Sequence, residues 1–296
     1  MIELADETFV GTFPFRPRYL DVGDAAMHYV DEGEGDPLLF VHGVPTWGYL
    51  WRAFVGPLSA RNRCLVCDHI GMGKSGARRT HKPYRLAERI SDLERFVLAL
   101  DLRGLTLVVH DWGGPVGLGV AVRHPDRIAR LVLTNTWAHA RWPGAPLPRL
   151  VEMIRSDRGE RFVLDRNGWV EAAIIGGTMH PPKRPAEPSI AAYLAPYPTP
   201  DSRWPLLCWS RDIPLNEHDP SFGELAAIEA ELSVFCDRPV LLVWGMRDPV
   251  LPPTVLTLWR AVYPDAEVVE ISDASHFVQE DAPEQVIARL ERFLAS

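Results

Sequence analysis

Short apolar runs without polar alternation punctuate this chain, separated by longer segments whose apolar residues return every three or four positions. Runs at 37–41 (PLLFV), 64–68, 105–109, 130–134, 239–244 and 266–271 are rich in leucine and β-branched residues. A strand covered on both faces has no polar side to present, so these runs predict buried strands of a parallel sheet. Shorter strands are expected near the N-terminus, between 19 and 29, before the turn at 31–36 (DEGEGD). Helical periodicity fills the gaps at 49–54, 84–99, 115–123, 222–235, before Trp259 and at 283–294. Strands and helices taken in turn predict an α/β fold with a mostly parallel, doubly wound sheet.

The rhythm breaks between 137 and about 217. That stretch carries Pro181, Pro182, Pro196, Pro198, Pro200 and Pro205, with Trp137, Trp142, Trp169, Trp204 and Trp209. Its helical pieces, 147–156 and 168–175, are too short to fold alone. An insertion lying over the strand ends explains this better than a separate domain. The expected organisation is a core domain formed by 1–136 and 217–296, with a helical cap insertion over 137–216.

Composition narrows the partners. The chain is 47% hydrophobic over 296 residues, which is ample for one large core. Its formal charge of −8 argues against nucleic acid and anionic membranes, since no basic run offsets phosphate repulsion. The opening MIELADETFV has no basic start followed by an apolar core, and no apolar stretch approaches the roughly 20 residues of a membrane span. A cytoplasmic enzyme of small molecules is expected, as a monomer or small homo-oligomer. Cys64 and Cys67 form a CxxC, but an offset of three places them on opposite strand faces. With Cys208 and Cys236 they read as free structural thiols, and no metal site is expected. The glycine-rich loop DHIGMGKSG (68–76) lacks the spacing of a phosphate cradle, because Gly71 and Gly73 stand too close together.

The chemistry gathers at 105–117, LTLVVHDWGGPVG. A buried strand runs directly into a helix, and Val109-His110-Asp111-Trp112-Gly113 follows the small-x-nucleophile-x-small pattern of a nucleophile elbow, with aspartate where serine usually stands. Asp111 alone could be a helix N-cap. Asp248, in GMRDPV, could be an Asp-Pro turn former, and His276, in SDASHFVQED, a capping or core histidine. Together they stand after predicted strands in the order nucleophile, acid, histidine. An ionised aspartate needs no base to attack a saturated carbon, and the resulting alkyl ester then needs water activated by a histidine. Asp111 is thus the expected nucleophile, His276 the base and Asp248 the acid. The backbone N–H groups of Val44 and Trp112 are the expected oxyanion donors. A departing halide needs donors in a dry pocket, and the Trp112 indole N–H supplies one. An opening epoxide wants proton donors instead, for which Tyr193 and Tyr197 are the candidates.

Five segments carry a family resemblance: HGVPTWGYLWR (42–52), DHIGMGKSG (68–76), VVHDWGGPVG (108–117), YLAPYPTPDSRWPLLCWSRDIPL (193–215), and WGMRDPVL with DASHFVQEDAPE (244–251 and 273–284). They resemble the haloalkane dehalogenases of the α/β-hydrolase fold across nearly the whole chain. HDWGG and HGxP are shared with epoxide hydrolases; APYPTPDSRWP and HFVQED are more particular to dehalogenases. The resemblance implies conversion of a small apolar haloalkane and water to a primary alcohol and halide ion, without cofactor or metal. It assigns Asp111, Asp248 and His276 to the triad and Trp112 to the halide. Some relatives carry the acid after the strand that here ends near Asn135-Thr136; Thr136 cannot serve, which leaves Asp248. Many relatives also carry asparagine after His-Gly as a second halide donor, where this chain has Val44. A lid tryptophan, Trp137 or Trp169, is then the candidate second donor. Epoxide hydrolysis on the same triad is the alternative activity, and a ligand-binding protein without catalysis is a third reading, which an intact triad disfavours.

Overall fold

A computed structural model describes residues 4–78, 84–141, 147–175 and 185–295; Trp142, Pro181 and Pro182 lie outside them. The sheet comprises β1 (Arg18–Asp21), β2 (Ala26–Glu32), β3 (Asp36–Val41), β4 (Asn62–Cys67), β5 (Leu105–Asp111), β6 (Ile128–Thr136), β7 (Val240–Gly245) and β8 (Glu267–Ile271). Their spatial order is β1-β2-β4-β3-β5-β6-β7-β8. β2 pairs antiparallel with β1 and β4, and every other pairing is parallel. This is the mostly parallel α/β sheet that the alternating pattern predicts, in the α/β-hydrolase architecture that the resemblance implies. All seven residues of β5 are buried, so the central strand is covered on both faces, which is why its sequence shows no alternation.

Between strands run α1 (Arg52–Leu58), α2 (Leu86–Ala99) and α3 (Gly113–Arg123). The predicted helix at 49–54 divides, with a 3₁₀ turn over Gly48–Trp51 before α1. After β6 come α4 (Leu147–Arg155), α5 (Asp157–Leu164), α6 (Gly168–Ile174), α7 (Glu187–Leu194) and α8 (Pro200–Arg211), with no strand among the described residues. α4, α5 and α8 pack on one another, as do α5 with α6 and α6 with α7. Mutual packing stabilises helices that are individually too short to stand alone. α8 starts sharply: Thr199 and Ser202 exchange side-chain and backbone hydrogen bonds, and Pro200 takes the first helical position, where no N–H is needed. The α/β alternation then resumes with α9 (Phe222–Glu231), α10 (Pro253–Val262), α11 (Val278–Asp281) and α12 (Pro283–Ala295). The predicted helix at 222–235 ends as a 3₁₀ turn over Leu232–Phe235.

The glycine-rich loop at 68–76 wraps a carboxylate. Asp68 is fully buried, accepts hydrogen bonds from the Gly48 and Lys74 N–H groups, and lies 2.8 Å from His28 Nδ1. Gly73 has φ +55°, and a Cβ there would stand 2.3 Å from Asp68 Oδ2, so only glycine fits. Cys64, Cys67 and Cys208 are buried and Cys236 is exposed; all four are free. Burial pushes the Cys64 thiol up to about 12.

Candidate active site

The parallel strands deliver their C-terminal ends to one edge, and the register of β5 breaks there, between His110 and Asp111. Asp111 has φ +50°, a left-handed conformation that lifts its side chain off the strand before α3 begins. The approach is close. A Cβ on Gly113 would stand 2.2 Å from the Val41 carbonyl oxygen, and one on Gly43 would stand 2.2 Å from Asp111 Oδ1. Thr136 Oγ1 donates to the Asp111 carbonyl and fixes the turn from β6. The Val44 N–H donates to Asp111 Oδ1 at 2.8 Å, and the Trp112 N–H also supports this carboxylate. Burial alone raises the carboxyl pKa. His276 and these N–H groups outweigh it and hold Asp111 below the usual carboxylate range, hence ionised.

His276 lies in the loop after β8. Its Nδ1–H donates to Asp248 Oδ2 at 2.8 Å, while Nε2 stands 3.6 Å from Asp111 Oδ2, within ion-pair range but longer than a hydrogen bond. Asp248 Oδ1 accepts the N–H groups of Val250 and Leu251 at 2.7 and 2.9 Å. Burial pulls the imidazole pKa down, but the charges of Asp248 and Asp111 overcome it and raise His276 to about 10. The resting histidine is therefore an imidazolium held between two carboxylates. Beneath it His110, fully buried and lowered to about 3, is neutral and donates from Nε2 to the His276 carbonyl.

Two supporting residues escape a reading of the sequence. Asn135, with φ +34°, donates from Nδ2 to Asp248 Oδ2 at 2.7 Å and accepts the Gly245 N–H at Oδ1. It ties the ends of β6 and β7 together and aims Asp248; its place at a strand end beside Asp248's strand was the available signal. Arg89 stands on the buried face of α2, 3% exposed, with its guanidinium 3.6 Å from the Trp209 ring centre and 5.3 Å from that of Trp112. An arginine within an amphipathic helix reads as solvated, and nothing in its sequence neighbourhood signals otherwise.

Above the triad is an apolar cavity of about 230 Å³. Val44, Asp111, Trp112 and His276 contribute from the sheet edge, and Phe162 and Trp169 from the helices above. The indole N–H groups of Trp112 and Trp169 are both buried and find no acceptor among the described residues. An unanswered donor in an apolar enclosure is a binding feature for an anion. Of the two lid tryptophans, Trp169 lines the cavity, whereas Trp137 packs edge-on against Trp112 with ring centres 5.0 Å apart and does not. Neither Tyr193 nor Tyr197 lines the cavity, and the Tyr193 hydroxyl donates to Glu280, which also pairs with Arg52. The lid acids expected for an epoxide are therefore turned elsewhere. For Tyr193 the reason is a buried hydrogen-bond network invisible in the segment's own sequence.

Among the described residues, no group of three or more His, Cys, Asp and Glu side chains could hold a metal ion, and no helix is long and apolar enough to cross a membrane. The arrangement offers an ionised carboxylate, an imidazole hydrogen-bonded to a second carboxylate, and paired backbone N–H donors under an apolar roof.

Comparison with known proteins adds four findings. Residues 36–283 match the α/β-hydrolase fold family. The chain is 38% identical over 293 residues to a cis-3-alkyl-4-alkyloxetan-2-one decarboxylase of Xanthomonas campestris, covering 95% of this chain and 97% of that one. It is 36% identical over 286 residues to haloalkane dehalogenase 2 of Mycobacterium tuberculosis, covering 95% and 96%. Among solved structures, the haloalkane dehalogenase DatA from Agrobacterium tumefaciens superposes with a TM-score of 0.84 at 27% identity, covering 95% of this chain and 96% of that one.

Proposed function

The chain belongs to the α/β-hydrolase fold family, and from that premise we propose that it hydrolyses the carbon–halogen bond of haloalkanes to give an alcohol and halide. One observation carries this reading: an ionised Asp111 opens into an apolar cavity also lined by Trp112 and Trp169, whose buried indole N–H groups find no acceptor among the described residues. The similarity to haloalkane dehalogenases over almost the full chain supports it.

Asp111 Oδ1 is held by the Val44 N–H, which leaves Oδ2 for attack. Oδ2 forms a bond to the halogen-bearing carbon, the carbon–halogen bond breaks with its electron pair, and the halide leaves against the Trp112 N–H, with Trp169 as second donor. Val44 contributes no side-chain donor. Ester formation removes the charge of Asp111, and with it one of the two carboxylates that hold the His276 proton. His276 then gives its Nε2 proton to solvent, so the imidazole is a neutral base when the water arrives. Water then attacks the Asp111 carboxyl carbon and passes a proton to His276 Nε2, while the N–H groups of Val44 and Trp112 hold the oxyanion. Collapse expels the alkoxide, which takes that proton and leaves as the alcohol, and the regenerated Asp111 carboxyl passes its own proton to His276, restoring the resting pair. Asp248, aimed by Asn135, keeps the imidazole oriented throughout.

A second reading is supported by the 38% identity to an oxetan-2-one decarboxylase. Attack of the same carboxylate on the ring carbon that bears the lactone oxygen would open the ring to a β-carboxylate. Loss of CO₂ with departure of Asp111 then leaves an alkene and consumes no water. A substrate panel separates the readings: bromide release from 1-bromobutane against CO₂ and alkene from a cis-3,4-dialkyloxetan-2-one, with diol from styrene oxide as the third arm. Bromide release is expected to be fastest. Faster alkene formation would replace the first reading with the second, and faster diol formation would replace both.

A further inference from the structure

The feature that the mechanism leaves unused is a buried cation behind the indole wall. On α2 the core-facing positions are Leu86, Ile90, Leu93 and Val97, and Arg89 falls among them, 3% exposed. Removing a guanidinium from water is costly unless it is paired and hydrogen-bonded. Its pairing here is incomplete. The Arg89 Nη1 contact with Asp212 is 3.5 Å, and Asp212 already accepts Arg85 Nη1 at 2.9 Å and the Leu86 N–H at 2.8 Å. Two guanidiniums thus share one carboxylate. Arg85 is partly exposed and screened by solvent, whereas Arg89 is not. Nε and Nη2 of Arg89 find no acceptor among the described residues.

What Arg89 does touch is aromatic. Its guanidinium lies 3.6 Å from the Trp209 ring centre and 5.3 Å from that of Trp112, and the two indoles meet edge-on at 5.2 Å. Trp112 also lines the cavity with its N–H unanswered. Burial lowers the Arg89 pKa to about 10, which still leaves it charged at neutral pH. A cation against the ring face draws on its electron density, which leaves the N–H edge more positive.

We propose that Arg89 is a positioning residue for the leaving anion, setting through Trp209 and Trp112 a positive potential where negative charge gathers in the cavity. The inference rests on the reading of Trp112 as the leaving-group donor. It explains how a site with Val44 in place of a polar donor still stabilises an anion: part of the support is a charge behind the wall rather than a donor on it. A unit charge acting over roughly 8 Å at an effective dielectric of about 20 changes anion affinity roughly thirtyfold.

The test is bromide affinity, read by tryptophan fluorescence quenching, beside kcat and KM for 1-bromobutane, in the wild type, R89M, R89K and D212N. R89M is expected to bind bromide at least about tenfold more weakly and to lose kcat rather than gain KM, while R89K retains most of both. D212N removes the counter-charge and is expected to tighten bromide binding, the opposite sign, which a merely structural pair would not produce. If R89M does not fold, R89Q, which keeps donors without the charge, takes its place. Folded R89M or R89Q with wild-type bromide affinity overturns the inference, as does D212N that binds bromide no more tightly. A wild type whose fluorescence does not respond to bromide overturns the halide reading itself, and the inference with it.

Discussion

The two walls of the cavity are made differently. The wall at the sheet edge presents Val44, Asp111, Trp112 and His276, and Asp248 stands behind His276; hydrogen bonds of 2.7 to 2.9 Å tie Val44 to Asp111 and hold Asp248 and His276 in place. The opposite wall consists of apolar side chains such as Val151, Ile154 and Phe162 on short helices that hold one another by packing. The difference separates duties. Bond making and breaking require atoms placed within a few tenths of an ångström, which a hydrogen-bonded sheet supplies. Fitting a hydrocarbon tail requires volume and shape, which packed side chains supply and can vary without disturbing the chemistry.

Substitutions at the sheet edge should therefore change whether the reaction occurs, and those in the roof which molecules undergo it. The largest expected effect is at the proposed nucleophile and its proposed base. D111A should lose at least about 10⁴-fold in bromide release. H276Q should release about one bromide per molecule and then stop, with the alkyl group found on Asp111 by mass spectrometry. Continued turnover of D111A, or H276Q without a trapped group despite substrate binding, would erase the distinction between attack and hydrolysis.

Next comes pH. His276 is raised from about 6.5 to about 10 in the folded protein. Its proton therefore stabilises the fold fully below about 6.5, and that contribution is lost as pH rises through about 10. Asp111 and Asp248 are lowered, so they stabilise above the ordinary carboxylate range and lose that contribution as pH falls below about 4. Melting temperatures measured across pH should fall on both sides, and D111A, lacking one of the two carboxylates, should flatten the alkaline side. An alkaline side equally steep in D111A would place the cause outside the triad.

The smallest effect is expected in the roof. Phe162→Ala should shift preference toward longer or bulkier bromoalkanes by a few-fold in kcat/KM while leaving kcat for a short substrate nearly unchanged. A large fall in kcat for every substrate would mean that the two walls are not separable.

The same division explains what the sequence discloses. β5 and its neighbours announce themselves as unbroken apolar runs because burial on both faces forbids polar residues. Strand ends in such a sheet converge on one edge, so Asp111, Asp248 and His276 could be gathered from their positions after strands. Asn135 offers only its place at a strand end as a signal, and Arg89 offers none, because their roles depend on what lies across the sheet or beneath a helix. Asn135 meets Asp248 from 113 positions away, and Arg89 meets Asp212 from 123. Tyr193 misleads for the same reason: it faces Glu280, 87 positions later. Trp137 and Trp169 have alike compositional surroundings, and packing alone decides which reaches the cavity.

The left-handed turn at Asp111 carries a wider implication. The unusual geometry belongs to the main chain and to the glycines around it, and owes nothing to the particular reactive group that it displays. The same perch could exhibit a hydroxyl, a thiol or a carboxylate without rebuilding its surroundings. One scaffold can thus pass between acyl and alkyl chemistries by exchanging a single side chain and then reshaping the roof to suit.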